Sequence, residues 1–326
     1  YAGASGLVLP STPGHKKAEI MESIDRLQAG GSTNGASGIE LAYKTATENF
    51  IKNGTNRVLL LTDGDFNVGT TNQGDLVRLI EEKAKTGTFL TVLGFGMGNI
   101  KDSTLEKLAD KGNGSYGYID DENEARKVFV EQIGGTLITI AKDVKIQVEF
   151  NPQAVSSYRL IGYENRLLKD EDFNDDTKDA GEIGAGHVVT ALYEIVPAGK
   201  SAGGRSVDPL KYQKKQAAQG EAKTSGEMLT VKLRYKKPQG DKSKLLEVVV
   251  KDETREFETA SSDFKFSAAV AAYAMVLRDS KHKGSANFGM VSEIVRSNVQ
   301  RAGKEDPYRK EFLDLVEIAK RLTARS

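Results

Sequence analysis

The sequence predicts an incomplete doubly wound α/β domain, then a β-sandwich, then a helical segment. Three observations carry this. Apolar runs of strand length, Arg57-Val58-Leu59-Leu60-Leu61-Thr62 and Phe89 to Phe95, alternate with amphipathic helical stretches. From about Asp143 the pattern changes to period-two alternation with no helix-length segment between the runs. From Asp263 onward it is helical again.

Taken in order, Gly6-Leu7-Val8-Leu9 is a short apolar run stopped by Pro10, the pattern of an edge strand. His15 to Gln28 is helical, with Ile20, Ile24 and Leu27 at three- and four-residue steps. Gly30-Gly31 ends it, and a polar loop leads to a second helix over Ile39 to Ile51. The run from Arg57 to Thr62 is apolar at every interior position, which predicts a strand covered by helices on both faces. A helix built on Leu76, Leu79 and Ile80 spans Asp75 to Lys85, and a second buried strand follows at 89–95. Ser103-x-x-Glu106 has the form of a capping box, opening a helix with Leu105 and Leu108. A short strand over Ser115 to Ile119 and a long helix over Glu122 to Ile140, interrupted near Gly134-Gly135, complete the α/β part.

Alternating strands are expected at 145–150, 156–163, 187–196, 229–236 and 244–251. Residues 165–181 and 199–226 read as polar loops. Three helices are expected in the tail: one around Phe264 to Met275, one over Asn287 to Ala302, one over Pro307 to Leu322. The domain reading is 1–142 for the α/β domain, 143–260 for the β-sandwich and 261–326 for helices packing back on them.

Composition narrows the function classes. The 326 residues hold 46 Lys plus Arg and 46 Asp plus Glu, a neutral balance with no general pull toward nucleic acid or anionic lipid. Cysteine is absent, which removes disulfides, thiolate metal sites and Cys nucleophiles. Only three histidines occur, His15, His187 and His282, far apart in sequence. The longest apolar stretch, Ala268 to Leu277, is too short to cross a bilayer. The opening Tyr1-Ala2-Gly3-Ala4-Ser5 reads as the interior of a protein, so residue 1 is expected to be a fragment or processing boundary.

Two segments carry candidate chemistry: Gly30-Gly31-Ser32-Thr33-Asn34-Gly35 before a helix, and Thr62-Asp63-Gly64 at the end of a buried strand. In open α/β sheets, sites form where loops meet at the carboxyl ends of strands. The Thr33 hydroxyl and the Asp63 carboxylate are hard oxygen donors suited to Mg²⁺ or Ca²⁺, and glycines let backbone approach an ion closely. The plainer roles are a turn for Asp63 and a helix cap for Thr33. Asp63-x-Asp65-x-Asn67 begins like a calcium loop, but the sixth and twelfth positions are Val68 and Gly74. Gly94-Phe95-Gly96-Met97-Gly98 stops short of a dinucleotide motif, since Asn99 stands where the last glycine belongs.

These segments, in this order and spacing, with the strand ending in Gly94-Phe95-Gly96, resemble a von Willebrand factor type A (VWA) domain over about residues 1–140. The remainder is similar to the β-plus-helical C-terminal extension of a bacterial cell-envelope branch of that family. The resemblance implies a metal-ion-dependent adhesion site in which Thr33 and Asp63 are ligands. It implies no enzyme activity, a protein partner offering an acidic side chain to a bound Mg²⁺ or Ca²⁺, and an extracytoplasmic or envelope location. The Asp-x-Ser-x-Ser motif of the family's first strand has no counterpart before residue 30. The strand at 58–62 is therefore expected to expose an apolar edge, with the missing elements supplied by a preceding segment. A structural module of an envelope assembly with a vestigial metal site is the alternative, and a nucleotide-dependent enzyme is the third.

Overall fold

The computed structural model describes residues 5–28, 34–64, 73–96, 100–163, 167–178, 180–199, 226–253, 255–301 and 303–324. The α/β part opens with helices α1 (Lys17–Asp25) and α2 (Gly35–Glu48). Strands β1 (Arg57–Thr62), β2 (Phe89–Phe95) and β3 (Tyr116–Ile119) alternate with α3 (Gln73–Ala84) and α4 (Asp102–Lys111). The strands pair in parallel in the order β1-β2-β3. Leu76 and Ile80 of α3, and Leu105, Leu108 and Ala109 of α4, fall at helical spacing and are fully buried or nearly so. With Ala36, Ile39 and Tyr43 of α2 they pack against Val58, Leu60, Leu90 and Val92, one face of the sheet. Each fully buried aliphatic side chain contributes about 1.5–3 kcal/mol.

The opposite face is covered only in part. Leu93 and Ile119 pack with Val128, Ala125 and Phe129. Leu59 and Leu61 of β1, on that same face, stay exposed at 36% and 46%. The expectation of a strand buried on both sides therefore holds for β2 and fails for β1. Met21 and Ile24 of α1, and Leu27 just beyond it, are likewise exposed. Residues 6–9 are not a strand. An apolar run of four ending at a proline needs a neighbour to pair with, and among the described residues it has none.

The long helix expected over 122–140 is three short pieces: α5 (Glu122–Arg126), a π-helical turn (Lys127–Glu131) and α6 (Ile133–Leu137). Gly134-Gly135 weakens helix propagation there, and the chain turns extended at Ile138. Strand β4 (Thr139–Phe150) begins inside the stretch read as helix. There follow β5 (Val155–Ile161), a 3₁₀ turn (Asp170–Asn174), β6 (Gly181–Gly184), β7 (Leu192–Pro197), β8 (Glu227–Lys236) and β9 (Lys244–Lys251). They form a four-stranded sheet in the order β6-β4-β8-β9 and a separate antiparallel β5-β7 pair.

By internal packing the chain divides into two compact units, each drawn from three stretches. The first is Tyr1–Ile146, Lys169–His187 and Leu233–Leu246; the second is Gln147–Leu168, Val188–Lys232 and Glu247–Ser326. In the first unit two buried lysines pin the 167–178 loop to the sheet. Lys145 donates to the carbonyls of Asp172 and Asp175, while Lys236 pairs with Asp143 at 2.7 Å and donates to the Asp176 carbonyl at 2.7 Å. A buried ammonium is tolerated only when its donors are met in this way.

In the second unit Phe150 stacks on Tyr158 at 4.2 Å and meets Tyr193 edge-on at 5.3 Å, joining the end of β4 to the β5-β7 pair. The tail helices α7 (Ser262–Leu277), α8 (Phe288–Ser297) and α9 (Pro307–Thr323) share their own core of Ala269, Val291, Val295, Leu313 and Val316. The middle helix stops at Ser297, short of the expected Ala302, because the chain turns into a two-stranded hairpin, β10 (Gln300–Arg301) and β11 (Lys304–Glu305). Arg309 is buried beneath this core, bonded to Ser262, the Asn298 carbonyl and Asp263, with its guanidinium 4.7 Å from the Phe266 ring centre. Among the described residues, no helix is long and apolar enough to cross a membrane.

Candidate metal site

The carboxyl ends of the three parallel strands make one rim of the α/β part. Asp63 follows β1 directly and is half-buried. The preceding Thr62 is buried, and its hydroxyl accepts the Gly64 N–H at 3.0 Å, a local turn that fixes the backbone under the carboxylate. Gly64 takes φ +81°, a left-handed conformation that a side chain would strain. Across the rim, Gly96 after β2 has φ +105°, and a Cβ there would lie 3.8 Å from the Cβ of Asp63. Position 96 thus presents no side chain to Asp63.

Of the two ligands expected from sequence, Asp63 is at this rim and Thr33 lies outside the described residues. Asn34, next in the chain, caps α2 by accepting the Ser37 N–H at 3.4 Å. Residues 49–56 carry the chain from the end of α2 to the start of β1, so the N-terminus of α2 lies toward the Thr62 end of the strand. Asp63 carries the type of hard oxygen donor that Mg²⁺ or Ca²⁺ takes, and position 96 opposite has no side chain. Among the described residues, no three His, Asp or Glu side chains gather closely enough to hold a metal between them.

Other rim residues were not singled out by the sequence pattern. The Tyr118 hydroxyl donates to the Gly96 carbonyl at 2.7 Å, tying β3 to the turn after β2. Tyr116 donates to the carboxylate of Asp102, the first residue of α4. Burial, and then that carboxylate, push the Tyr116 phenol well above its ordinary pKa, so it stays a neutral donor. Their signal was present only as aromatics in a four-residue strand, which packing alone would account for. The expected capping box at Ser103 does not form: α4 starts at Asp102, with Lys101 at the cap position and no side-chain cap. The glycine at 94 has a packing reason, since a Cβ there would lie 2.7 Å from Ile100 and 3.1 Å from the Tyr116 hydroxyl. Met97, Gly98 and Asn99 lie outside the described residues.

Comparison with known proteins gives two family matches along the chain. A family model for the von Willebrand factor type A domain matches residues 1–132. A model described as uncharacterized protein YfbK, C-terminal, matches residues 135–322, more than half of the chain. Uncharacterized protein YfbK of Escherichia coli (strain K12) is 43% identical over 325 residues, covering 99% of this chain and 55% of that protein. The chain thus spans about half the length of this curated relative. Among solved structures, a von Willebrand factor type A protein from Catenulispora acidiphila is 18% identical, with a TM-score of 0.39 over 93% of this chain and 74% of that one.

Proposed function

We propose, for a chain that belongs to the YfbK family and opens with a von Willebrand factor type A domain, that it is a non-enzymatic protein-recognition or scaffolding module working through a divalent cation at the Asp63 rim. The Asp63 carboxylate and the Thr33 hydroxyl are the ligands from this chain. Water and an acidic side chain of the partner protein fill the remaining positions, since Mg²⁺ takes six oxygens and Ca²⁺ six to eight. The ion supplies the charge, and the loops after β1 and β2 supply the specificity. The bacterial cell envelope is the compartment in which this reading places the protein.

One observation supports the reading above the others. A carboxylate stands at the end of an inner-face-buried strand, over a left-handed glycine turn, and faces a second glycine with no side chain. The left-handed backbone at Gly96, φ +105°, itself calls for glycine, and the open position beside Asp63 follows from it. A second reading, a structural component of an envelope assembly with a silent rim, draws on the absence of a three-residue ligand cluster among the described residues.

Mn²⁺ binding to the full-length protein, followed by electron paramagnetic resonance, separates the two. Wild type is expected to retain Mn²⁺ and Asp63→Asn to lose at least tenfold in affinity. Equal binding by both proteins sinks the cation reading and leaves the scaffold. A thermal shift on adding ATP, GTP or NAD would instead point to a nucleotide-dependent activity.

A further inference from the structure

The order β6-β4-β8-β9 leaves β9 as the outermost strand of its sheet among the described residues. Its sequence is Lys244-Leu245-Leu246-Glu247-Val248-Val249-Val250-Lys251, and every residue of it is exposed. Val248 and Val249 are half exposed, at 51% and 50%, and Leu245, Leu246 and Val250 are exposed as well. A flat edge carrying three consecutive valines is a ready template for another strand. Soluble proteins blunt such edges with central charges, prolines or bulges. Here the lysines stand only at the two ends, and the valine run holds no charge and no proline.

We infer that this edge pairs antiparallel with β9 of a second copy of the chain, with the two-fold axis through Val249. Antiparallel partners alternate in the same phase, so a strand that pairs with itself must be centred on a residue and not between two. Centred on Val249, Glu247 of each copy stands opposite Lys251 of the other. Val248 faces Val250, and Val249 faces itself. Two opposite-charge pairs then close the ends of an all-valine ladder, the arrangement cross-strand energetics favours. Other centres are poorer. At Glu247 the glutamate meets its own copy. At Val250 it meets Glu253. At Val248 each Lys251 is set against Leu245. The charges of this strand therefore complement the strand itself, in one register. A ladder this short buries less surface than a standard stable interface, so the dimer forms and dissociates with concentration.

The test uses the full-length protein and the absence of cysteine from residues 1–326. Sedimentation across a concentration series is expected to show a monomer–dimer equilibrium for wild type and monomer alone for Val249→Lys. Because the strand is exposed, that variant keeps its circular dichroism spectrum. Val249→Cys is expected to form a disulfide-linked dimer under mild oxidation, whereas Val188→Cys, 83% exposed elsewhere, does not. Glu247→Lys and Lys251→Glu should each lose the dimer alone and regain it when mixed, since the charges then match across the pair. Three results each overturn the inference: a wild type monomeric throughout, cross-linking no greater at 249 than at 188, or a mixture of the charge variants that stays monomeric.

Discussion

Arg57, the first residue of β1, donates a hydrogen bond to the hydroxyl of Thr139, the first residue of β4. The same guanidinium donates to Thr91 on β2 and lies 5.8 Å from the centre of the Phe89 ring. One half-buried cation thus joins the parallel sheet to the strand that leaves it. Burial lowers the proton affinity of Arg57, and the charge of Glu182 on β6 opposes that effect. Replacing Arg57 with Met should cost about 1–3 kcal/mol of unfolding free energy, the scale for leaving its hydrogen-bonded partners unmet. Adding Glu182→Gln should recover part of the loss, with a coupling of about 1–3 kcal/mol in a double-mutant cycle. Denaturant titration of the four proteins checks this, and additive effects would contradict it.

Gly114→Ala is expected to be among the most damaging single changes in the α/β part. A Cβ at this position would lie 1.7 Å from the Leu90 carbonyl oxygen, a backbone atom that cannot rotate away. The turn from α4 to β3 is fixed on both sides by Leu90 N–H to the Gly112 carbonyl at 2.8 Å and Val92 N–H to the Ser115 carbonyl at 3.0 Å. Opening it should cost more than about 3 kcal/mol and lower soluble yield sharply. A variant with unchanged thermal stability would show that the turn is looser than these contacts state.

Asp306 caps α9 by accepting the N–H groups of Tyr308 at 3.0 Å and Arg309 at 3.2 Å, with Pro307 at the first helical position. Asp306→Ala should destabilise the tail by about 1 kcal/mol and Asp306→Ser by much less, because Ser is an equally favoured cap. Hydrogen exchange at the start of α9 reads the effect locally.

Glu317 of α9 accepts from the Ser292 hydroxyl of α8, and this bond, with Lys320 and Arg296 nearby, holds its carboxyl below the usual range. A depressed carboxyl contributes stability above its unfolded value of about 4.3 and loses it as pH falls through the folded value. The stability gap between wild type and Glu317→Gln should therefore be fully present at pH 7 and shrink below about pH 4. Thermal unfolding of both proteins at pH 7 and pH 3.5 tests it, and a gap that widens in acid has the wrong sign.

Much of this was legible from the residue order because apolar pattern and packing agree. The spacing of Leu76 and Ile80, and of Leu105 and Leu108, fixes α3 and α4, and the run at 89–95 is buried on both sides as its composition requires. The misses share a cause: local pattern cannot report a partner. Leu59 and Leu61 look like core yet stay exposed, because whether a strand is covered depends on what lies over it. β6 is four residues with a glycine at each end, and pairing with β4 alone makes it a strand. Ile138 and Ile140 continue a helical spacing but belong to the entry into β4. At the candidate site, Asp63 was readable from the strand that ends before it. The facing Gly96 and the Tyr118 hydrogen bond that steadies it arise from chain segments 22 residues apart, which no local motif joins.

The division of the first unit into three stretches bears on how the protein is made. When residue 150 leaves the ribosome, β4 has emerged, but Lys236 and the strand that carries it have not. Roughly 100 further residues must be synthesised before Leu233–Leu246 arrives, about 5–20 s at bacterial elongation speeds. During that interval Asp143 waits without its ammonium partner, and the strand waits without its neighbour. A truncation just after β4, at residue 150, would make that wait permanent. The first half expressed alone is therefore expected to be a chaperone client and not a free-standing domain.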